Sequence, residues 1–80
     1  MDAPSGWKEV DSALEREFSF AHFREAIAFV ASVADLAEAE NHHPDIEIRF
    51  ARVTLRWSTH SAGGVTERDR ELAARSAELA

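Results

Sequence analysis

The fold is decided by the stretch from Glu38 to Asp69, which reads EAENHHPDIEIRFARVTLRWSTHSAGGVTERD. Pro44 has no backbone N–H and pushes the residue before it out of the helical region, so His43 is expected to be extended. Asn41 tolerates the left-handed backbone that commonly follows a helix end. The stretch therefore predicts a helix that stops near Asn41, with two histidines at the junction with the next strand.

Apolar and polar residues alternate after this junction. Ile46, Ile48 and Phe50 alternate with charged residues, a tight turn is expected around Ala51-Arg52, and the alternation resumes from Val53 to His60. Because side chains of a strand point alternately to its two faces, this pattern predicts a hairpin with one apolar face.

A loop at Ser61-Ala62-Gly63-Gly64 separates the hairpin from a second predicted helix. Thr66 and Asp69 have the spacing of a capping box, so Thr66 is the predicted N-cap. This helix is expected to run to about Leu79, with its inward positions at Leu72, Ala73, Ser76 and Leu79.

The first half of the chain has two different periods. Trp7–Val10 and Leu14–Phe20 are predicted as antiparallel strands joined by a polar turn at Asp11-Ser12. Between Ala21 and Asn41 the spacing becomes three and four, which predicts a helix. Its core-facing stripe is predicted to be Phe23, Ile27, Val30, Ala34 and Ala37; a second stripe, Phe29, Val33 and Leu36, is assigned either to another subunit or to a wide core surface.

The elements together predict an α+β fold in the order β-β-α-β-β-α, with a four-stranded antiparallel sheet and the helices on one face. The 80 residues are enough for one domain, 1–80, in which 1–6 is a flexible lead-in. Since so short a chain has a small core and no cysteine for disulfides, self-association as a homodimer or homotetramer through the first helix and the sheet is expected.

Charge and hydropathy limit the classes of function. A formal charge of −6 argues against nucleic-acid binding, which needs cationic surface. No run of about 18 apolar residues is available to span a membrane, and the N-terminus has no basic, apolar leader. A cytoplasmic location is therefore the default expectation.

Three histidines are the strongest candidates for catalysis: His42, His43 and His60. Imidazole exchanges protons near neutral pH, and two such groups acting on one small molecule suit the elimination of water. Glu38 and Asp69 could orient an imidazole.

The structural alternatives are a pair of cations at a helix end for the two adjacent histidines, a capping box for Asp69 and solvent exposure for Glu38. A zinc site on the three histidines is disfavoured, because adjacent residues of an extended chain point apart.

The spaced set Glu38, His42-His43-Pro44, Phe50, His60 and Asp69 resembles the signature of the pterin-4a-carbinolamine dehydratase family. Ser58-Thr59-His60 and the residues up to Gly64 also look like that family. The resemblance covers Trp7 to about Leu79 and departs from the pattern at the start, where relatives usually carry a helix before the position of Trp7.

The resemblance implies a lyase that dehydrates a 4a-hydroxytetrahydropterin to the quinonoid dihydropterin and so recycles tetrahydrobiopterin, without a metal or cofactor. It implies catalysis by the three histidines with Glu38 and Asp69 in support, and a substrate pocket lined by Asn41, His42, His43, Ser58, Thr59, His60 and Ser61. Relatives of this fold also act as assembly chaperones or dimerisation cofactors, so a non-catalytic binding module is the alternative.

Overall fold

The computed structural model describes residues 3–80, which form a four-stranded antiparallel sheet with two α-helices packed on one face. The elements are β1 (Lys8–Val10), β2 (Ala13–Ser19), α1 (Phe23–Glu40), β3 (Asp45–Arg49), β4 (Arg52–Trp57) and α2 (Glu67–Ala77), with a 3-10 turn at His60–Ala62. The strand order is β1-β2-β4-β3, which leaves β1 and β3 at the edges. The predicted α+β class and order of elements are confirmed.

Two tight hairpins set the register of the sheet. Asp11 and Ser12 both have positive φ, at 49° and 65°, which is the backbone of a two-residue turn that matches strand twist. In the second hairpin β3 and β4 pair so that Arg49 faces Arg52. The turn between them is formed by Phe50 and Ala51, one residue earlier than the sequence predicted.

The core lies between the sheet and the helices. Trp57, Leu55 and Val53 alternate along β4 and are fully buried. Every second residue of β4 therefore packs under the helices, as the alternation predicted. The other members of the core cluster are Trp7, Leu14, Phe18, Ala26, Phe29, Val33, Ala37, Leu72 and Ala73.

The predicted core-facing stripe of α1 is confirmed at Ala37 but wrong at its N-terminal positions, and the second stripe belongs to the core, as the alternative of a wide core surface predicted. Phe29 and Val33, which were assigned to the second stripe, are buried against the sheet. Phe23 and Ile27, which were predicted to face the core, are 58% and 40% exposed. Both stripes are apolar at helical spacing, so the spacing predicts a helix but does not say which side of it faces the sheet. The packing of the large Phe29 ring against Phe18 and Phe20 decides that side.

Three predicted positions at element ends also differ. Phe50 is in the turn with φ 56° and is 86% exposed, so it is not an inward strand residue. Strand β4 ends at Trp57, and His60 opens the 3-10 turn instead of closing the strand. Helix α2 ends at Ala77, which leaves Leu79 42% exposed instead of inward.

The predicted flexible lead-in falls partly outside the described residues, since Met1 and Asp2 are not described. Beyond them, the backbone N–H of Trp7 donates to the carbonyl of Pro4 at 3.0 Å. Within residues 3–80, neither helix has the length and apolar character needed to cross a lipid bilayer.

Candidate active site

The end of α1 places the two adjacent histidines. Asn41 has φ 52° and ψ 44°, the left-handed conformation predicted for it. The N–H of Asn41 donates to the carbonyl of Glu38, and the N–H of His42 donates to that of Ala37 at 3.1 Å. These two bonds form a Schellman motif, which satisfies the last carbonyls of the helix and turns the chain sharply into the His42–Pro44 segment.

His42 turns inward from this segment. Its Nε2 lies 2.7 Å from Oδ1 of Asp69, and the two side chains are 14% and 0% exposed. Its ring also lies parallel to the indole of Trp57, with ring centroids 6.0 Å apart and 3° between the planes. The imidazole is therefore held along one edge by a carboxylate and on one face by an aromatic ring.

Asp69 is fixed by the start of α2. It is the third residue of the helix, and its Oδ2 accepts hydrogen bonds from the N–H of Thr66 at 2.9 Å and from Oγ1 of Thr59 at 2.7 Å. One oxygen thus completes the predicted capping box while the other binds His42. The structural and functional interpretations of Asp69 are compatible, because its two oxygens make different contacts.

Asp69 is ionised at neutral pH. Burial alone would raise its pKa, but the hydrogen bonds from Thr59, His42 and the backbone of Thr66 outweigh burial and lower the pKa of Asp69 below its ordinary value of 3.8. An ionised carboxylate only accepts hydrogen bonds, so Nε2 of His42 must carry the hydrogen. In neutral His42 the lone pair is consequently on Nδ1, which is the nitrogen able to take a proton.

His43 and Glu38 form a second, more open pair. Nε2 of His43 lies 2.6 Å from Oε2 of Glu38, and the side chains are 56% and 77% exposed. The pair joins the residue after His42 to the last turn of α1. The structure thus brings each of the two adjacent histidines to one of the two predicted carboxylates.

The remaining predicted site residues lie around the 3-10 turn. Thr59 is half-buried, and its hydroxyl is committed to Asp69, while the neighbouring Ser58 is half-buried as well. His60 and Ser61 are exposed, and their side chains make no hydrogen bond to the rest of residues 3–80. The neighbour of His60 in sequence, Thr59, donates to Asp69, and Asn41 is exposed beside His42.

Two residues that hold this site were not predicted as site residues from the sequence. The indole Nε1–H of buried Trp57 donates to Oγ of Ser76 at 3.2 Å, and Ser76 donates to the carbonyl of Ala73 at 2.9 Å. Both were predicted only as inward positions. A serine at a predicted inward position of α2, next to the inward Leu72 and Ala73, was the available signal. Within residues 3–80 no three potential ligand side chains are grouped to hold a metal ion.

The arrangement defines a class of site: two histidine–carboxylate pairs at the junction of α1 and β3, one buried and one exposed. The comparisons with known proteins identify the family of the chain. The sequence model of the family described as pterin 4 alpha carbinolamine dehydratase matches residues 1–79. The chain belongs to that family.

Two relatives with high sequence identity carry names that assign them to the pterin-4-alpha-carbinolamine dehydratases. One from Thermomicrobium roseum is 57% identical over 75 residues, covering 94% of this chain and 81% of the relative. One from Koribacter versatilis is 50% identical over 74 residues, covering 92% and 79%.

Two solved structures share the fold. A transcriptional coactivator/pterin dehydratase from Brucella melitensis matches with a TM-score of 0.89 and 38% identity, covering 95% of this chain and 83% of that one. A pterin dehydratase-like protein identified as a RuBisCO assembly factor in the alpha-carboxysome matches with a TM-score of 0.79 and 26% identity, covering 92% and 88%. The fold therefore occurs in proteins with different assigned roles.

Proposed function

We propose that this protein is a hydro-lyase that removes water from a 4a-hydroxytetrahydropterin to give the quinonoid dihydropterin. The observation that carries the proposal is the buried pair between His42 and ionised Asp69, at 2.7 Å. A buried carboxylate that fixes the tautomer of an imidazole and stabilises its protonated form is typical of a general base. Membership of the dehydratase family supports the choice of substrate.

The reaction requires two proton transfers. One imidazole takes the proton from a ring nitrogen of the pterin, and the electrons of that N–H bond form a C=N bond to C4a. The C4a–O bond breaks, and the departing hydroxide receives a proton from a second, protonated imidazole, so that one water leaves. No oxidant or reductant is needed, because the nitrogen lone pair drives the loss of hydroxide.

We assign the base to His42 and the acid to His43 or His60. The assignment to His42 rests on its fixed carboxylate and on the free lone pair of its Nδ1. His43 is exposed and pairs with Glu38, which supports a role in exchanging protons with water between turnovers. In this proposal Asn41 and the segment Ser58–Ser61 contact the pterin, and the protein acts in the cytoplasm in tetrahydrobiopterin recycling.

An assay that follows the disappearance of 4a-hydroxytetrahydropterin tests the function. His42→Ala and His60→Ala are each expected to lose about 10²–10⁴-fold in rate, the usual effect of removing an acid–base group. His22→Ala is the matched control, since His22 is an exposed histidine at the start of α1, away from the site residues. A wild-type rate no greater than the spontaneous rate would reject the proposal.

The second candidate function is a binding module for the assembly of another protein. The likeness to the RuBisCO assembly factor favours it, as does the exposed apolar stripe on α1 that contains Phe23 and Ile27. Such a module has no need for the buried His42–Asp69 pair. A protein that binds another protein during its assembly but has no dehydratase activity would fit this candidate.

We propose that the same stripe supports a homodimer or homotetramer. Phe23 and Ile27 are large apolar side chains one helical turn apart, a spacing that suits contact with a second helix. A Phe23→Ser, Ile27→Ser double variant is expected to be smaller than wild type by sedimentation at micromolar concentration. Phe50→Ser is the control, because Phe50 is also exposed but lies at a turn of the sheet. A monomeric wild type would reject self-association.

A further inference from the structure

The inner face of α2 carries two fully buried polar side chains, Asp69 and Ser76. They are seven residues apart, close to two helical turns, so they lie on the same face of the helix. Asp69 contacts His42 directly, at 2.7 Å. Ser76 accepts the N–H of Trp57, the residue on whose ring His42 lies. One face of α2 therefore contacts the imidazole of His42 directly through Asp69 and indirectly through Ser76 and Trp57.

The two routes restrict different movements of the ring. The hydrogen bond from Nε2 to Asp69 fixes one atom, but it leaves the imidazole free to rock about the line between Nε2 and Oδ1. A parallel ring at 6.0 Å restricts that rocking, because aromatic pairs have preferred geometries. The two contacts together therefore limit the directions in which Nδ1 of His42 can point.

The plane of the indole is itself fixed. Trp57 is completely buried, and its Nε1–H points to Oγ of Ser76, which in turn donates to the carbonyl of Ala73. These two hydrogen bonds end at the backbone of α2, so rotation of the indole would leave its buried Nε1–H without an acceptor.

We propose that Trp57 and Ser76 are positioning residues for the catalytic base. Trp57 sets the plane of the His42 imidazole, and Ser76 sets the plane of Trp57. Neither touches the substrate: they act by aiming Nδ1 of His42. This inference rests on the proposed function for its effect on rate, but its effect on the ring of His42 is independent of any activity.

Three variants separate the contributions. Trp57→Leu removes the aromatic face and keeps an apolar side chain; Trp57→Phe keeps an aromatic face without the N–H; Ser76→Ala keeps the indole and removes its acceptor. Phe29→Leu is the matched control, because Phe29 is a buried aromatic residue that packs on Phe18 and Phe20 and has no contact with His42. All are compared with wild type under conditions where each is folded.

The first measurement is the ¹⁵N relaxation of the histidine ring nitrogens, which reports rocking of the ring; the signals of His42 are identified by their loss in His42→Ala. Wild type is expected to show a rigid ring with hydrogen on Nε2. Because Asp69 still fixes the tautomer, Trp57→Leu should keep the hydrogen on Nε2 but increase the rocking. Trp57→Phe and Ser76→Ala should increase it less, and Phe29→Leu should leave it unchanged. Wild-type relaxation in folded Trp57→Leu and Ser76→Ala would overturn the proposal.

The second measurement is the dehydration kinetics. Because a small misplacement of a reacting group can cost up to about 10²-fold, Trp57→Leu is expected to lower kcat by about 10- to 100-fold with little change in KM. The kcat of Ser76→Ala should lie between those of Trp57→Leu and wild type.

An equal loss of kcat in Phe29→Leu would overturn the proposal. An inactive wild type would reject the dehydratase function instead, and the ring-nitrogen spectra would still decide the positioning. If Trp57→Leu does not fold, Trp57→Phe and Ser76→Ala give the decision.

Discussion

The two histidine–carboxylate pairs differ in surroundings far more than in geometry. The distances are 2.7 Å for His42 and Asp69 and 2.6 Å for His43 and Glu38. Asp69, however, is fully buried and receives further hydrogen bonds from Thr59 and Thr66, whereas Glu38 is 77% exposed. A short contact alone therefore does not tell which pair is fixed.

The difference lies in the alternatives available to each carboxylate. Water can replace His43 as the partner of Glu38 at little cost, since exposed ion pairs contribute about 0–1 kcal/mol. Asp69 has no such substitute, because removing one partner of a buried pair leaves the other uncompensated. We therefore expect the buried pair to be a fixed part of the site and the open pair to rearrange when a ligand binds.

The largest predicted effect is that of Asp69→Asn. The amide can still cap α2 with its oxygen, but its NH₂ group then faces Nε2 of His42 and requires an acceptor there. The hydrogen of the neutral imidazole would move to Nδ1, which removes the proposed basic nitrogen. We expect a loss of about 10²–10⁴-fold in kcat/KM, measured in the dehydration assay.

The control for Asp69→Asn is Glu67→Gln. Glu67 is an exposed carboxylate in the same first turn of α2, and it pairs with Arg70 instead of with a histidine. Activity that survives Asp69→Asn but falls in Glu67→Gln would mean that the charge of the helix start matters and the pairing with His42 does not.

An intermediate effect is predicted for Thr59→Val, which removes one donor to Asp69 and keeps the shape of the side chain. Loss of this hydrogen bond should lower the free energy of unfolding at pH 7 by about 1–3 kcal/mol, measured by urea denaturation. Thr54→Val is the control, because Thr54 lies on β4 and its side chain has no partner among the hydrogen bonds of residues 3–80.

The same variant tests the pH dependence of stability. The folded-state pKa of Asp69 lies below its ordinary value of 3.8, so its ionisation stabilises the fold above that pH. This stabilisation is lost as pH falls from 3.8 through the lowered pKa. Because the Thr59 hydroxyl helps to lower that pKa, acid unfolding of Thr59→Val should begin at a higher pH than that of wild type. An acid limb identical to that of wild type would contradict the role of Thr59.

The smallest effect is predicted for Glu38→Gln. Because the pair with His43 is open to solvent, the free energy of unfolding should change by no more than about 0.5 kcal/mol. Asp35→Asn, which removes an exposed charge from the same helix, is the reference. A loss of unfolding free energy in Glu38→Gln as large as that predicted for Thr59→Val would remove the distinction between the two pairs.

Much of the fold could be predicted because it depends on local signals. Three signals are each contained in a few residues: the change of hydrophobic period near Ala21, the proline at position 44 and the Thr66–Asp69 spacing. Each marks an element boundary within about two positions. The left-handed Asn41 was predictable for the same reason.

The rest depends on contacts between distant residues. Trp57 and Ser76 are 19 positions apart, and His42 and Asp69 are 27 apart, so no local pattern contains their pairing. The rotation of α1 was missed because two apolar stripes compete, and only the tertiary packing of Phe29 decides between them. The family signature indicates candidate site residues but does not say which carboxylate pairs with which histidine.

The single left-handed residue at Asn41 also separates the contacts of two neighbouring histidines. It turns the chain out of α1, after which His42 contacts Asp69 of α2 and His43 contacts Glu38 of α1. The two residues are chemically identical, so their different contacts depend on their position after this turn. Deleting one residue between the helix end and Pro44 would exchange inside for outside, although the remaining composition of the segment would hardly change.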